Sequence, residues 1–197
     1  MLWPLRFYNF IYCLKNILLK LRKNIVIITG GSGFGKTEII EELKMQGRRI
    51  CPEFARDIIS SHNKTDSDLL PWKNLKRFQN EITGRRLNFY RSVDEKSNFV
   101  FSDRGLPDQI AFTRYHGNTP TPELIDLVNN CRYFQKVFIT PPWKKIYVND
   151  EIRKETFEES CCIYKYVLEV YLELGYSIVN IPFGKSAERA RYILDNI

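Results

Sequence analysis

A glycine-rich segment at residues 30–37 carries the residue types that bind phosphate. It reads Gly-Gly-Ser-Gly-Phe-Gly-Lys-Thr and matches the whole pattern G-x-x-x-x-G-K-[ST]. Glycines let backbone N–H groups curl around phosphate oxygens because no Cβ stands in the way. Within the pattern, Lys36 is expected to reach the β- and γ-phosphates, and the Thr37 hydroxyl to ligate Mg²⁺. We therefore predict that a nucleotide is held by Gly30, Gly31, Ser32, Gly33, Phe34, Gly35, Lys36 and Thr37.

The segments on both sides of this loop support the prediction. Residues 25–29 are apolar and rich in β-branched side chains, which is typical of a buried strand. Residues 38–46 have apolar side chains at helical spacing and end at Gly47, which predicts a helix. The N-terminus of that helix adds a partial positive charge to the phosphate site. The alternative, a glycine-rich turn with a chance lysine, leaves both flanks unexplained.

Charged residues directly follow two further predicted strands, one ending near residue 51 and one at residues 98–102. They are Glu53, Arg56, Asp103 and Arg104. In a parallel sheet, ligands bind beyond the carboxyl ends of the strands. We therefore predict that two carboxylates and two arginines meet near the γ-phosphate, where phosphoryl transfer needs metal ligands, a base and cations.

Asp103 ends an apolar strand and is predicted to be a second Mg²⁺ ligand beside Thr37. A motor-type ATPase usually places a glutamate next, to activate water, whereas this chain has Arg104, which cannot act as a base. The pattern therefore favours a kinase-like site, with Glu53 as the base for an acceptor hydroxyl. The structural alternatives are a helix cap or ion pair for Asp103 and a surface position after a proline turn for Glu53.

Two more segments are predicted to border the acceptor. A long helix at residues 72–94 places Gln79 and Arg86 on one polar face, where Gln79 would bind a base or an amide and Arg86 an anion. Residues 149–155 are strongly charged and precede a helix, so we predict a lid from which Arg153 swings onto the phosphates. The alternatives are a solvated helix face and a solvated helix start.

The remaining pattern predicts one α/β domain at residues 24–197, with a mostly parallel sheet covered by helices on both faces. The predicted strands are 25–29, a short one ending near 51, 98–102, 136–140 and 176–181, and the predicted helices are 38–46, 55–60, 72–94, 157–174 and 187–194. Residues 1–23 form a basic amphipathic N-terminal extension that is too interrupted by charge to span a membrane. Its apolar face is expected either to lie on a membrane surface or to pack on the domain. It is alternatively an extension from an upstream start codon.

Composition narrows the class of protein. The chain has 197 residues and a net charge of +7. Its 44% of hydrophobic residues is typical of a globular protein. Its five cysteines are odd in number and show no C-x-x-C spacing, so disulfides and zinc are not expected and a cytoplasmic location is. The positive charge suits nucleic acid, an anionic membrane or a polyanionic small molecule, and a nucleotide already explains part of it.

Four segments in this order resemble the AAA-type P-loop ATPases related to the NadR ribosylnicotinamide kinase domain. They are residues 30–37, the Pro-Glu-Phe-Ala-Arg-Asp-Ile-Ile segment 52–59, the Asp-Arg-Gly-Leu-Pro-Asp segment 103–108, and the Pro-Trp…Asp-Glu-Ile-Arg segment 142–153. The resemblance runs from about residue 24 to the C-terminus. It implies a kinase-like P-loop fold, a three-layer α/β sandwich whose parallel five-stranded sheet has the order 2-3-1-4-5.

The resemblance also assigns roles to single residues. The Asp103–Arg104 pair is similar to the acid–arginine pair of deoxynucleoside and thymidylate kinases, where the arginine contacts phosphate or acceptor and a carboxylate at the position of Glu53 is the base. We accordingly expect Arg56, Gln79, Arg86 and Asp108 on the substrate side. In one departure, Glu38 follows Thr37 where relatives often carry a second hydroxyl residue.

Three functions stay open at this point. The first is an ATP- and Mg²⁺-dependent phosphotransferase acting on a small acceptor such as a nucleoside. The second is an ATPase that switches a protein or membrane partner. ATP is favoured over GTP because no N-K-x-D guanine signature occurs. The third is a binding module for anionic lipid or nucleic acid; of these, nucleic acid is not expected, and peripheral membrane contact through residues 1–23 stays open.

Overall fold

The computed structural model describes residues 24–62, 67–94, 98–148 and 155–197. The expectations for the extension at residues 1–23 and for Arg153 in the lid segment lie outside these residues.

Five parallel strands form the central sheet. They are β1 (Ile25–Gly30), β2 (Arg49–Cys51), β3 (Val100–Asp103), β4 (Lys136–Thr140) and β5 (Ser177–Asn180). The order across the sheet is β2-β3-β1-β4-β5, which confirms the predicted order 2-3-1-4-5. The central strand β1 is buried along its whole length, as a continuous apolar run predicts.

Seven α-helices are described. They are α1 (Lys36–Met45), α2 (Phe54–His62), α3 (Leu75–Ser92), α4 (Pro107–Tyr115), α5 (Pro122–Asn130), α6 (Phe157–Glu173) and α7 (Ser186–Asp195). A 3₁₀ turn at Lys144–Ile146 follows β4. None of the helices in the described ranges has the length and apolar content needed to cross a membrane.

The two faces of the sheet are covered by different helices, because alternate side chains of a strand point to opposite faces. Ile25 and Ile27 of β1 belong to a core with α4, α5 and α6. Val26 and Ile28 belong to a second core with α1 and α7. The three-layer sandwich expected from the sequence is therefore confirmed.

A third and smaller cluster lies between α2 and the first half of α3. It consists of Ile58, Ile59, Leu70, Phe78 and Ile82. The second half of α3 joins the core of α4 to α6, because Leu87, Phe89 and Tyr90 pack there. Helix α3 thus connects the small cluster to the main core.

The structure differs from the predicted elements in two ways. Helix α3 begins at Leu75 rather than at residue 72, because the side chain of Asn74 caps it by accepting a hydrogen bond from the Arg77 amide at 3.0 Å. Helices α4 and α5 are not among the predicted elements. Both lie between β3 and β4, where they cover one face of the sheet.

Candidate active site

The glycine loop lies between β1 and α1 and is shaped by close packing. A Cβ on Gly31 would collide with the ring of Phe34 and the carbonyl of Ser160. Gly35, directly before α1, has a φ of 77°, and a Cβ there would come within 2.6 Å of the Arg189 guanidinium. Side chains are therefore excluded from both positions, and backbone amides are left to line the loop.

Lys36 is the first residue of α1 and is only 7% exposed. Its ammonium group donates a hydrogen bond to the carbonyl oxygen of Gly31 at 2.8 Å. The lysine is thus folded back over its own loop, where a phosphate is expected to bind. The adjacent Thr37 is half-buried and lines the same cavity.

Arg189 of α7 holds the glycine loop in place through hydrogen bonds to its backbone. The sequence did not indicate this role. Its guanidinium donates to the carbonyl of Gly35 at 3.2 Å and to the carbonyl of Phe34 at 3.3 Å. It also lies over the ring of Trp143, 5.4 Å from the ring centroid. No local pattern marks Arg189, since its role depends on a contact across more than a hundred residues.

Asp103 ends β3 directly beside β1, as predicted, and is 3% exposed. Its Oδ1 is buried and has no hydrogen-bond partner among the described residues. Burial, followed by the negative charge of Glu53, raises the pKa of Asp103 to about 6, against the opposing effect of Lys36. This carboxyl group lies in a place where a cation would stabilise its charged form.

Arg104 and Asp108 form a buried ion pair, with 3.1 Å between Arg104 Nη1 and Asp108 Oδ1. The same Nη1 donates to the carbonyl of Gly30 at 2.8 Å, which connects β3 to the start of the glycine loop. Asp108 also accepts hydrogen bonds from Thr29, Tyr171 and the Gly105 amide. Burial alone would raise the pKa of Asp108, but Arg104, Arg86 and the hydrogen bonds from Thr29 and Gly105 lower it below its usual range.

A cavity of about 540 Å³ joins the glycine loop to the space between α2, α3 and α4. It brings together predicted residues from distant parts of the chain: Lys36, Glu53, Arg56, Gln79, Arg86 and Arg104. Asp108 is fully buried and does not line it. The expectation that Asp108 lies on the substrate side is thus replaced by a position beneath Arg104, which it orients.

Comparison with known families identifies the fold. A family model described as an AAA domain matches residues 25–189. The chain belongs to this AAA-domain family. No curated protein matches the chain.

Solved structures similar to this AAA domain include kinases. A deoxyadenosine kinase from M. mycoides is 17% identical with a TM-score of 0.60, covering 87% of this chain and 97% of that one. A shikimate kinase from Acinetobacter baumannii is 15% identical with a TM-score of 0.57, covering 87% and 91%. The NadR protein is 18% identical with a TM-score of 0.62, covering 89% of this chain and 49% of that one. At these identities, the likeness shows that the AAA domain has the kinase-like P-loop fold.

The face that helix α3 of the AAA domain presents to the cavity is only partly polar. Gln79 and Arg86 line the cavity as expected, and Ile82 lies between them. Thr83 instead donates to the carbonyl of Gln79 within the helix, and the Tyr90 hydroxyl donates to the carbonyl of Arg132. The cavity wall of α3 is therefore mixed polar and apolar.

Gln109 and Phe112 of α4 also line the cavity of the AAA domain, although the sequence did not indicate them. Gln109 is 2% exposed, and its Oε1 has no partner within the described chain. The Oε1 of Gln79, on α3, is likewise buried and has no hydrogen-bond partner within the described chain. Two amide groups therefore have hydrogen-bonding capacity that a polar ligand in the cavity would use.

The residues at the loop fit a Mg²⁺ ion that also binds a nucleotide. The unpartnered Oδ1 of Asp103 and the hydroxyl of Thr37 are oxygen donors of the kind Mg²⁺ prefers. Within the described ranges no group of three His, Cys, Asp or Glu side chains is placed to hold a metal by itself. This fits a Mg²⁺ site that takes most of its ligands from phosphate oxygens and water.

Proposed function

We propose that this AAA domain is a Mg²⁺- and ATP-dependent phosphotransferase that transfers the γ-phosphoryl group to a hydroxyl group of a small molecule. The observation that carries the proposal is the single cavity that joins the glycine loop to Glu53 and three arginines. An ATPase that uses only water needs no acceptor space beside the glycine loop, whereas this cavity of about 540 Å³ extends from the loop to α2, α3 and α4. The kinase names of the similar solved structures support the proposal.

Glu53 is proposed as the base of the reaction. Its side chain is 30% exposed and faces the cavity, 3.5 Å from Arg56 Nε. The carboxylate takes the proton of the acceptor hydroxyl as its oxygen bonds to the γ-phosphorus. The bond from the γ-phosphorus to the bridging oxygen breaks, and ADP leaves with the bond electrons.

The residues of the glycine loop are proposed to hold ATP. Its backbone amides and Lys36 bind the phosphates, and Lys36 exchanges its hydrogen bond with Gly31 for one with a phosphate oxygen. Thr37 and Asp103 are proposed to hold Mg²⁺, which when bound neutralises charge on the phosphate oxygens. Arg104 is proposed to stabilise the charge that develops on the transferred group. Arg153, from the lid segment, is proposed to join it.

The chemistry of the cavity wall supports a small acceptor with both apolar and polar parts. Trp72, Phe78, Ile82 and Phe112 supply apolar and aromatic surface. Gln79 and Gln109 supply the unpartnered amide oxygens. Such a mixed wall is typical of pockets for small molecules.

The proposal is tested by measuring ATP consumption with Mg²⁺, alone and with pooled hydroxyl compounds that include nucleosides, sugars and hydroxy acids. We expect ADP release that depends on the acceptor and a phosphorylated product in the mass spectrum. The Glu53→Gln variant should lower kcat by roughly a hundredfold or more while ATP still binds, because only the base is lost.

Glu41→Gln is the matched control, since Glu41 lies on the outer side of α1 in an exposed pair with Lys44. It should keep full turnover. Turnover that survives in Glu53→Gln would show that the base is misassigned. ATP hydrolysis that no acceptor changes would contradict the kinase proposal and favour a nucleotide-dependent switch.

A further inference from the structure

Arg86 is a buried cation on the cavity wall that forms no ion pair with a carboxylate among the residues the structure describes. It is 6% exposed, and no carboxylate oxygen of the described chain lies within 4.0 Å of its guanidinium. Its Nη1 donates to the carbonyl of Gly105 at 2.9 Å, and its Nε is buried with no hydrogen-bond partner in the described part of the chain. The other two arginines on the cavity wall have acids beside them: Arg104 is 3.1 Å from Asp108, and Arg56 is 3.5 Å from Glu53.

The two acids near Arg86, Asp108 and Asp103, do not form an ion pair with it among the described residues. The two oxygens of Asp108 are occupied by four donors, from Thr29, Arg104, Gly105 and Tyr171. Asp103 and Asp108 both lie close enough for Arg86 to lower their pKa values without an ion pair, and Asp103 is proposed to hold Mg²⁺. Burying a guanidinium with only one carbonyl contact costs free energy, because the charge loses its hydration. An anionic group of a bound ligand would offset that cost.

The position of Arg86 favours the acceptor over the nucleotide as the source of this anion. It extends from α3, whose residues Gln79 and Ile82 line the part of the cavity that is proposed to hold the acceptor. The residues assigned to the phosphates lie on other elements. Lys36 is the first residue of α1, directly after the glycine loop, and Arg104 follows β3 and contacts Gly30 of the loop. Arg86 is therefore a group for ligand recognition beyond those that phosphoryl transfer itself needs.

We propose that Arg86 binds an oxyanion of the acceptor, so that the acceptor is a small hydroxy compound carrying a carboxylate or a phosphate. This inference rests on the proposed function, because the same molecule supplies the hydroxyl that faces Glu53. A planar guanidinium binds either oxyanion through paired N–H groups, so the two share one chemistry.

A binding experiment tests the proposal without any turnover. The protein is saturated with Mg²⁺ and a non-hydrolysable ATP analogue, which fills the phosphate loop. It is then titrated by calorimetry with inorganic phosphate, glycerate and, as a neutral match, glycerol. We expect the two anions to bind more tightly than glycerol, and Arg86→Gln to weaken anion binding by about tenfold or more.

Arg85→Gln is the matched control, because Arg85 is the next residue of α3 and pairs with Glu81 in a half-exposed position at 2.8 Å. It should bind both anions as the native chain does. Arg86→Lys keeps the charge but loses the paired N–H groups, so it should bind the anions with intermediate affinity. The comparison of the two anions with glycerol on the native chain needs no variant at all.

A turnover experiment then compares acceptors in pairs in which a neutral hydroxymethyl group replaces the carboxylate, such as pantothenate with pantothenyl alcohol and gluconate with sorbitol. We expect the charged member of a productive pair to have the higher kcat/KM, with Arg86→Gln raising KM more than it lowers kcat. Tighter binding of phosphate than of glycerate, or the reverse, identifies which oxyanion the acceptor carries.

Three results would overturn the inference. The first is equal anion affinity in Arg86→Gln and Arg85→Gln. The second is a loss of affinity for the ATP analogue in Arg86→Gln, which would assign Arg86 to the nucleotide. The third is preference for the neutral acceptors. If no acceptor is phosphorylated but anions bind through Arg86, the proposed function fails and the anion site stands.

Discussion

At the scale of single residues, the site depends on an arginine held in an unusual backbone conformation. Arg104 has a φ of 68° and is the one non-glycine residue with a positive φ in the described ranges. The left-handed region costs an L-residue about 1–2 kcal/mol relative to the right-handed one. The buried pair with Asp108 and the hydrogen bond to Gly30 hold the arginine there. The strain lies at the point where we propose that phosphoryl transfer occurs.

Two substitutions at this position separate backbone strain from side-chain function. Arg104→Gly and Arg104→Ala both remove the guanidinium, and both should lose most phosphotransfer activity. Glycine adopts a positive φ without strain, so Arg104→Gly should be more stable than Arg104→Ala by about 1 kcal/mol. Urea denaturation followed by circular dichroism measures the difference. Equal midpoints for the two variants would show that the backbone at this position is not strained.

At the scale of secondary structure, two glycines of similar exposure have opposite roles. Gly84 lies inside α3, and a Cβ there would meet nothing within 4 Å. Gly47 follows α1 with a φ of 76° and has equally open surroundings. The space around the two is the same, so only the backbone conformation distinguishes them.

We expect Gly84→Ala to stabilise the domain by up to about 1 kcal/mol, because alanine has the higher helix propensity. Gly47→Ala should destabilise it by about 1 kcal/mol, because alanine is strained at a positive φ. Thermal unfolding of both variants beside the native chain tests the pair. Shifts of the midpoint in the same direction would contradict the assignment of Gly47 as the residue that ends α1.

The strands and the glycine loop could be predicted because their signals are local. Apolar runs gave the sheet, and the spacing within residues 30–37 gave the loop. Helix α5 also has a local signal, since Thr121 caps it, Pro122 opens it and Glu123 lies in its first turn. Helix α4 has Pro107 at its start, but polar and apolar residues are both buried over its first five positions. Its sequence therefore shows only a weak amphipathic pattern.

The contents of the site could be predicted only in part. Residues that directly follow strands, such as Glu53 and Asp103, could be placed from the rule for parallel sheets. The burial of Asp108, the support of the loop by Arg189 and the position of Gln109 on the cavity wall all depend on contacts between distant elements. Such contacts are fixed by packing and leave no periodic trace in one sequence.

At the scale of the whole molecule, the positive charge is unevenly distributed along the chain. The first 23 residues contain five basic residues, Arg6, Lys15, Lys20, Arg22 and Lys23, and no acidic one. They therefore supply most of the net charge of +7. A basic segment with apolar residues is attracted to anionic lipid, and the attraction weakens as salt is added.

We expect deletion of residues 1–23 to abolish binding to vesicles that contain anionic lipid and to leave ATP binding unchanged. Sedimentation with vesicles at low and physiological salt measures the first property, and calorimetry with an ATP analogue the second. Vesicles of neutral lipid are the control for the intact chain. If the intact chain does not sediment with anionic vesicles at low salt, these residues have no membrane role.

The small cluster of Ile58, Ile59, Leu70, Phe78 and Ile82 has a kinetic consequence for the molecule. It is separate from the two cores on the sheet, so α2 and the first half of α3 can open while the sheet stays folded. The amide protons of these helices then exchange with solvent faster than those of β1. A ligand in the cavity would touch both helices, so its binding would be detected as slower deuterium uptake in α2 and α3, outside the glycine loop itself.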